Sequence, residues 1–256
     1  GYGYIATEAD GEDEVRKAAR TQLKMGADLI KVMATAGAGT PGEEISETQL
    51  STAEMAAATE EAHQKGKHAA AHATHSDGAR NALEAGVDTI EHGLLMDDDC
   101  VQRLSESSRY FIPTLEVYQQ LANMRVAPSS PSYYLVRKGQ EAVGPHRDSF
   151  QRAVAAGVKV AAGTDAGSSW WLLGDLALEV ERMVRYGLSP LEGVLAATRN
   201  AAEALQMLDR VGSLEPGKIA DVVVAEGDPI SDITALQHIA FVMKGGQIQI
   251  DNLNAS

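Results

Sequence analysis

Short apolar runs alternate with longer amphipathic stretches along most of this chain, and glycine punctuates the joins. Residues 11–26 carry their charges on a helical period and stop at Gly26, which predicts a helix with a glycine terminator. "DLIKVM" (28–33) follows as a strand, then the glycine-rich loop "TAGAGTPGEE". Residues 46–65 predict a second helix, with Ser46 as N-cap and Gly66 beyond its end. "KHAAAHA" (67–73) is the next strand, "DGARNALEAG" a helix that again closes on glycine, and "VDTIEHG" (87–93) a strand. "DDDCVQRLSES" opens on three acids, as suits the positive end of a helix. "YFIPTL" (110–115) is a strand, 116–157 is mostly helical with a break at "APSSP", and "VKVAAGTDAG" (158–167) is a strand running into a loop. Helices follow at about 174–186 and 190–208.

Strand and helix in strict alternation, each strand short and apolar, predict βα units around a parallel sheet. Five such strands can be counted, where a closed (β/α)8 TIM-type barrel needs eight. The chain opens "GYGYIATEADGEDE", which reads as the middle of a loop, so three strands are expected upstream of Gly1. After residue 210 the texture changes. "VGSLEPGKIADVVVAEGDP" and "IAFVMKGGQIQI" are β-rich with turn residues between them. The expected organisation is therefore an incomplete α/β barrel over 1–209 and part of a small β-sandwich over 210–256.

Composition narrows the function classes. With 256 residues, 44% hydrophobic and 23% charged, the chain is of ordinary globular make-up. A formal net charge of -14 argues against nucleic acid and against an anionic membrane surface, both of which need Lys/Arg patches. A lone cysteine, Cys100, allows no intrachain disulfide and leaves the redox compartment open. No apolar run approaches the ~18 residues of a membrane span, and no signal peptide is visible. A cytoplasmic location is the expectation, with any leader lying upstream of what is present.

Active sites of barrels collect at the C-terminal ends of the strands. Read there, four of the five strands present a polar group: Lys31, His72, His92 and Asp165, while "YFIPTL" offers only Thr114. Each has a bland alternative. Lys31 could snorkel, His72 could be a satisfied core histidine, His92 could pair with Glu91, and "GTDAG" is a common turn. Their equivalent placement argues for a shared role. Two imidazoles and a carboxylate suit a borderline cation such as zinc. Lys31, set among Leu29, Ile30, Val32 and Met33, is expected to be buried, and an ammonium fits such a place poorly. A neutral lysine amine can take up carbon dioxide as a carbamate, an anion with two oxygens that can bridge two metal ions.

At this point the sequence resembles the amidohydrolase superfamily, within the group of imidazolonepropionase-like proteins and Xaa-Pro dipeptidases (prolidases). The resemblance rests on "GADLIKVMATAG", "AAAHATHSDGARNALEAGVDTIEHG", "AAGTDAG" and "VGSLEPGKIADVVVAEGDPISDI", which span nearly the whole chain. It implies two divalent metal ions, with Lys31 as a carboxylated bridging lysine, His72 and His92 as ligands, and Asp165 as both ligand and proton shuttle. It also implies a His-x-His pair on the first barrel strand. None of the seven histidines (63, 68, 72, 75, 92, 146 and 238) forms one, so that pair is expected upstream. Two residues after the fifth-strand histidine, relatives often carry Tyr or His to polarise the scissile carbonyl. Here that place is Thr74, and the next residue, His75, is either its substitute in substrate binding or a solvent-facing loop residue. The segment after "YFIPTL" resembles a mobile lid whose Tyr118, Tyr133 and Tyr134 either shape a pocket or pack, and "SSWW" after Asp165 offers an aromatic wall.

The implied activity is hydrolysis of a C–N bond in a small substrate such as a dipeptide or N-acyl amino acid. The alternatives are a cyclic-amide hydrolase and a non-catalytic remnant. Because an open barrel exposes strand edges, an upstream segment, a rearranged packing or a homo-oligomer is expected to cover them.

Overall fold

The computed structural model describes residues 6–130, 132–167 and 176–253. Two compact units meet in sequence between Lys159 and Val160. The first contains a four-stranded, wholly parallel sheet in sequential order, β1 (Leu29–Met33), β2 (His68–His75), β3 (Thr89–Leu95) and β4 (Tyr110–Ile112). Its helices are α1 (Gly11–Lys24), α2 (Thr52–Gln64), α3 (Ser76–Glu84), α4 (Asp98–Ser105), α5 (Leu115–Asn123) and the long α6 (Tyr133–Ala155). Parallel strands need crossover connections, and the helices supply them. The crossovers cover the sheet, so β2 is buried along its whole length and reads as a run of alanine and histidine with no polar alternation. Glycines in the left-handed region follow the helices as expected, Gly26 (φ 97°) after α1 and Gly86 (φ 88°) after α3.

The predicted helix over 46–65 is shorter than its pattern. It starts at Thr52, capped by Ser51, whose hydroxyl accepts from the Glu54 N–H while the Glu54 carboxylate accepts from the Ser51 N–H. Ser46 caps nothing, because the chain around it is tied to the exit of β1. Ala36 N–H donates to Glu47 O, and Gln49 N–H to Ala34 O. The expected fifth strand forms no regular element either. Within 158–162 only Val160 makes a β-bridge, and Lys159 O accepts from the Phe111 N–H at 2.8 Å.

The second unit holds α7 (Leu176–Arg185), α8 (Pro190–Leu195), a π-helical turn (Ala196–Asn200) and α9 (Ala201–Ala204). They are followed by an antiparallel sheet of β5 (Val222–Ala225), β6 (Ile239–Lys244) and β7 (Gln247–Asp251), with a 3₁₀ turn at Ile233–Gln237 before β6. No helix among the described residues is long and apolar enough to cross a membrane.

One ion-pair cluster fastens the outer helices of the first unit. Glu61, buried on α2, accepts from Arg16 at 2.9 Å and from Arg20 at 2.8 Å, both on α1. Hydrogen bonds from the two guanidiniums lower its pKa from 4.5 to about 2. A carboxylate with a depressed folded-state pKa stabilises above its unfolded pKa, and that stability fades as pH falls through the folded value. Solvent reaches both arginines, so Glu61→Gln is expected to cost only about 1 kcal/mol at neutral pH. The difference between variant and parent should shrink between pH 4.5 and 2, read as urea midpoints across that range.

Candidate functional site

The strand exits of the first unit bring three of the four predicted groups together. The His72 and His92 rings stand edge to face with centroids 4.5 Å apart. Both are buried, and Lys31 is the cation whose field reaches both. Lys31 itself departs from expectation: it is exposed. It alternates with Met33 on the open face of β1, an edge strand of the described sheet, while Ile30 and Val32 face inward.

Burial, helped by Lys31, pushes His72 down to about 4, and burial pushes His92 well below the usual histidine range. Both imidazoles are therefore neutral, the form that donates a lone pair to a cation. His72 Nε2 lies 3.4 Å from Ala36 O. A carbonyl only accepts, so that contact puts the ring proton on Nε2 and leaves Nδ1 free. His92 Nδ1 pairs with Thr114 Oγ1 at 2.7 Å, leaving Nε2. Gly37 abuts one edge of the His72 ring, where a Cβ would stand 3.6 Å from Cε1 and Nε2.

The backbone at these exits is held away from its preferred basin. His92 (φ 73°) and Thr114 (φ 51°) are left-handed, as is Asp165 (φ 51°) in the second unit. For a β-branched threonine this is a true outlier, and such strain concentrates at functional sites. The left-handed residues interrupt the strand ladders, and α6 takes up the freed groups. Ser149 Oγ donates to Gly93 O at 2.6 Å and accepts from the Met96 N–H at 3.3 Å. His146, buried mid-helix, turns its ring toward the backbone of His92 and Pro113, with Nε2 unpartnered and the pKa pushed by burial to about 4. Tyr118 packs between His92 and His146, at 5.9 Å and 5.4 Å.

Asp165 is exposed, on the segment after Val160. There Asn200 Nδ2 donates to Val160 O at 2.9 Å, and the Ala162 N–H to Ala196 O. His75 ends β2 and is buried, not a solvent-facing loop residue. Its ring bonds the Glu47 backbone, and Asp77 and Arg80 are the charges that act on it, so it shares no charged neighbour with the His72–His92 pair. Its Nε2 has no partner. Thr74 is buried, bonded to Thr35 Oγ1 at 2.8 Å and to the Ile45 carbonyl. Of the lid tyrosines, Tyr118 and Tyr134 pack inward and Tyr133 is exposed. "SSWW" lies outside the described residues. No local signal marks His146 or Ser149, which sit mid-helix and matter only through contacts distant in the chain.

Among the described residues, no group of three or more His, Cys, Asp and Glu side chains is placed to hold a metal ion. Two neutral imidazoles are donors of the type a borderline divalent cation takes, and His72 Nδ1 and His92 Nε2 are the nitrogens outside the bonds just described. The donor lacking is of another type, and Lys31 is the group at hand.

The sequence profile described as "Amidohydrolase family" matches residues 1–249. The ochratoxinase of Aspergillus niger is 32% identical over 249 residues, covering 94% of this chain and 50% of that protein. The imidazolonepropionase of Geobacillus kaustophilus is 29% identical over 180 residues, 68% of this chain and 37% of the relative. The crystal structure of an Xaa-Pro dipeptidase with methionine bound in its active site superposes with a TM-score of 0.87 at 32% identity, covering 94% of this chain and 59% of that one. The chain thus spans about half the length of the ochratoxinase it matches.

In protein free of metal, His72 and His146 should stay neutral until the pH nears 4, followed as ring resonances in a titration. Because the unfolded chain takes up these protons near pH 6.5, they should make stability fall as pH drops from 6.5 towards 4. Ring resonances titrating near 6.5 would contradict the enclosure described.

Proposed function

The chain belongs to the amidohydrolase family, and on that premise we propose that the protein hydrolyses an amide or peptide C–N bond in a small substrate, a dipeptide or an N-acyl amino acid. The observation that carries this reading is the pair of buried, neutral imidazoles, His72 and His92, at adjacent strand exits beside Lys31. In this reading His72 Nδ1 and His92 Nε2 hold a divalent cation, zinc by donor type, and Lys31 contributes as a carbamate. The bound cation supplies Lewis-acid polarisation of a carbonyl and a lowered pKa for water. Thr114 orients the His92 ring through its hydroxyl, bonded to Nδ1 at 2.7 Å, the kind of outer partner that steadies a ligand.

Asp165 accepts the proton of the attacking water and returns it to the leaving nitrogen, acting as base and then acid. The second transfer is required because an amide anion is a poor leaving group. His75 is assigned to substrate binding on the strength of its unpartnered Nε2. The likeness to ochratoxinase and to the Xaa-Pro dipeptidase supports an acyclic amide, and the likeness to imidazolonepropionase supports a cyclic amide as the second reading.

The test uses the full-length protein. Elemental analysis should find divalent metal, and a panel of dipeptides and N-acyl amino acids should be cleaved in preference to cyclic amides. Chelation should abolish turnover. Asp165→Asn should lower kcat by about 10²–10⁴-fold, the range of general acid–base catalysis. Undiminished turnover by that variant with its metal intact would remove Asp165 from this role. A folded full-length protein without metal or turnover would favour a non-catalytic remnant.

A further inference from the structure

Lys138 is the most deeply buried cation among the described residues, at 1% exposure, in the second turn of α6. Its Nζ donates to Thr40 O at 2.9 Å and to Gly37 O at 3.4 Å, and lies 5.5 Å from the centroid of the Tyr134 ring. No carboxylate lies within ion-pair distance of it among the described residues; Glu44, Glu43 and Glu47 act on it only at longer range, and burial lowers its pKa. An ammonium is kept in such a place when its protons are used by main-chain acceptors.

The neighbours on that turn of the helix aim at the same segment. Tyr134 Oη donates to Gly39 O at 2.8 Å, and Arg137 pairs with Glu44 at 2.8 Å. Residues 134, 137 and 138 therefore grip the loop between Gly37 and Glu44 at four points. The helix is itself fixed: at Gly139 it approaches α5 so closely that a Cβ would stand 2.6 Å from Leu121 Cβ. The gripped loop is the one that borders the candidate centre, with Ala36 O at His72 Nε2 and Gly37 against the Cε1–Nε2 edge of the ring.

We infer that Lys138 is a positioning residue: it ties the carbonyls of Gly37 and Thr40 to α6 and so holds the glycine loop closed over His72, setting that imidazole's orientation. The loop and ring contacts stand by themselves, and only their bearing on hydrolysis rests on the proposed reading of His72 as a ligand. Tyr134 acts in the same sense through Gly39, with one neutral hydrogen bond in place of two charge-assisted ones.

The test is hydrogen exchange and histidine NMR on the full-length protein without substrate. Lys138→Met keeps the stem and removes the donors. It should raise amide exchange across 36–44 by at least about tenfold while amides of α6 beyond residue 141 change less than about threefold, the mark of local opening. The His72 ring resonances should shift with it, and those of His68, lower in the same strand, should not. Tyr134→Phe should produce a smaller rise in the same amides. Unchanged loop exchange in a folded Lys138→Met protein would overturn the inference. So would loosening of loop and helix together, or an opened loop with an unmoved His72 ring. If Lys138→Met does not fold, Tyr134→Phe decides: a loop as protected as in the parent overturns the inference. A loosened loop and shifted ring in a protein that cleaves no amide would leave the clamp standing and remove the hydrolase reading.

Discussion

Carbonyl groups released where a strand ends must find donors, and in the first unit one helix supplies them at two of the exits. α6 meets the loop after β1 through Lys138 and Tyr134, and the exit of β3 through His146 and Ser149. Orphaned buried carbonyls cost about 1–3 kcal/mol each, so the left-handed turns at His92 and Thr114 depend on this helix for their persistence. The surroundings of the His72–His92 pair are thus set in part some 50 to 70 positions downstream in sequence, by side chains of another element.

The same arrangement explains why the two imidazoles stay uncharged. Enclosure removes the water that would solvate an imidazolium, and Lys31 adds a like charge. A site that excludes water in this way costs stability, and the cost is offset elsewhere: by the buried ladder of β2, by the α5–α6 contact at Gly139, and by the Arg16–Arg20–Glu61 cluster on the outer helices. Strain and desolvation at the strand exits are bearable because the scaffold beneath them is regular.

That regularity is what made the fold legible in sequence. Each βα unit announces itself by an apolar run, an amphipathic period and a closing glycine, all local signals. His72 and His92 were legible for the same reason, as polar residues at equivalent strand ends. Local signals failed where a distant contact overruled them. Ser46 has the chemistry of a cap, yet the bonds from Ala36 and Gln49 hold its neighbours extended and pass the role to Ser51. Lys31 looks buried among apolar neighbours, but strand alternation turns it to the open face. His146, Ser149 and Lys138 read as ordinary residues of a long helix, because nothing in a linear pattern says which of its faces meets a loop a hundred residues away.

The grip of α6 on the glycine loop uses the loop's main-chain oxygens, apart from the Arg137–Glu44 pair at its edge. Main-chain acceptors are the same whatever residue carries them. Exchanging the side chain of Thr40 should therefore leave the bond from Lys138 to its carbonyl in place. A covering loop fastened by its backbone makes the enclosure of the His72 ring a property of the chain's path and not of the side chains that the path carries.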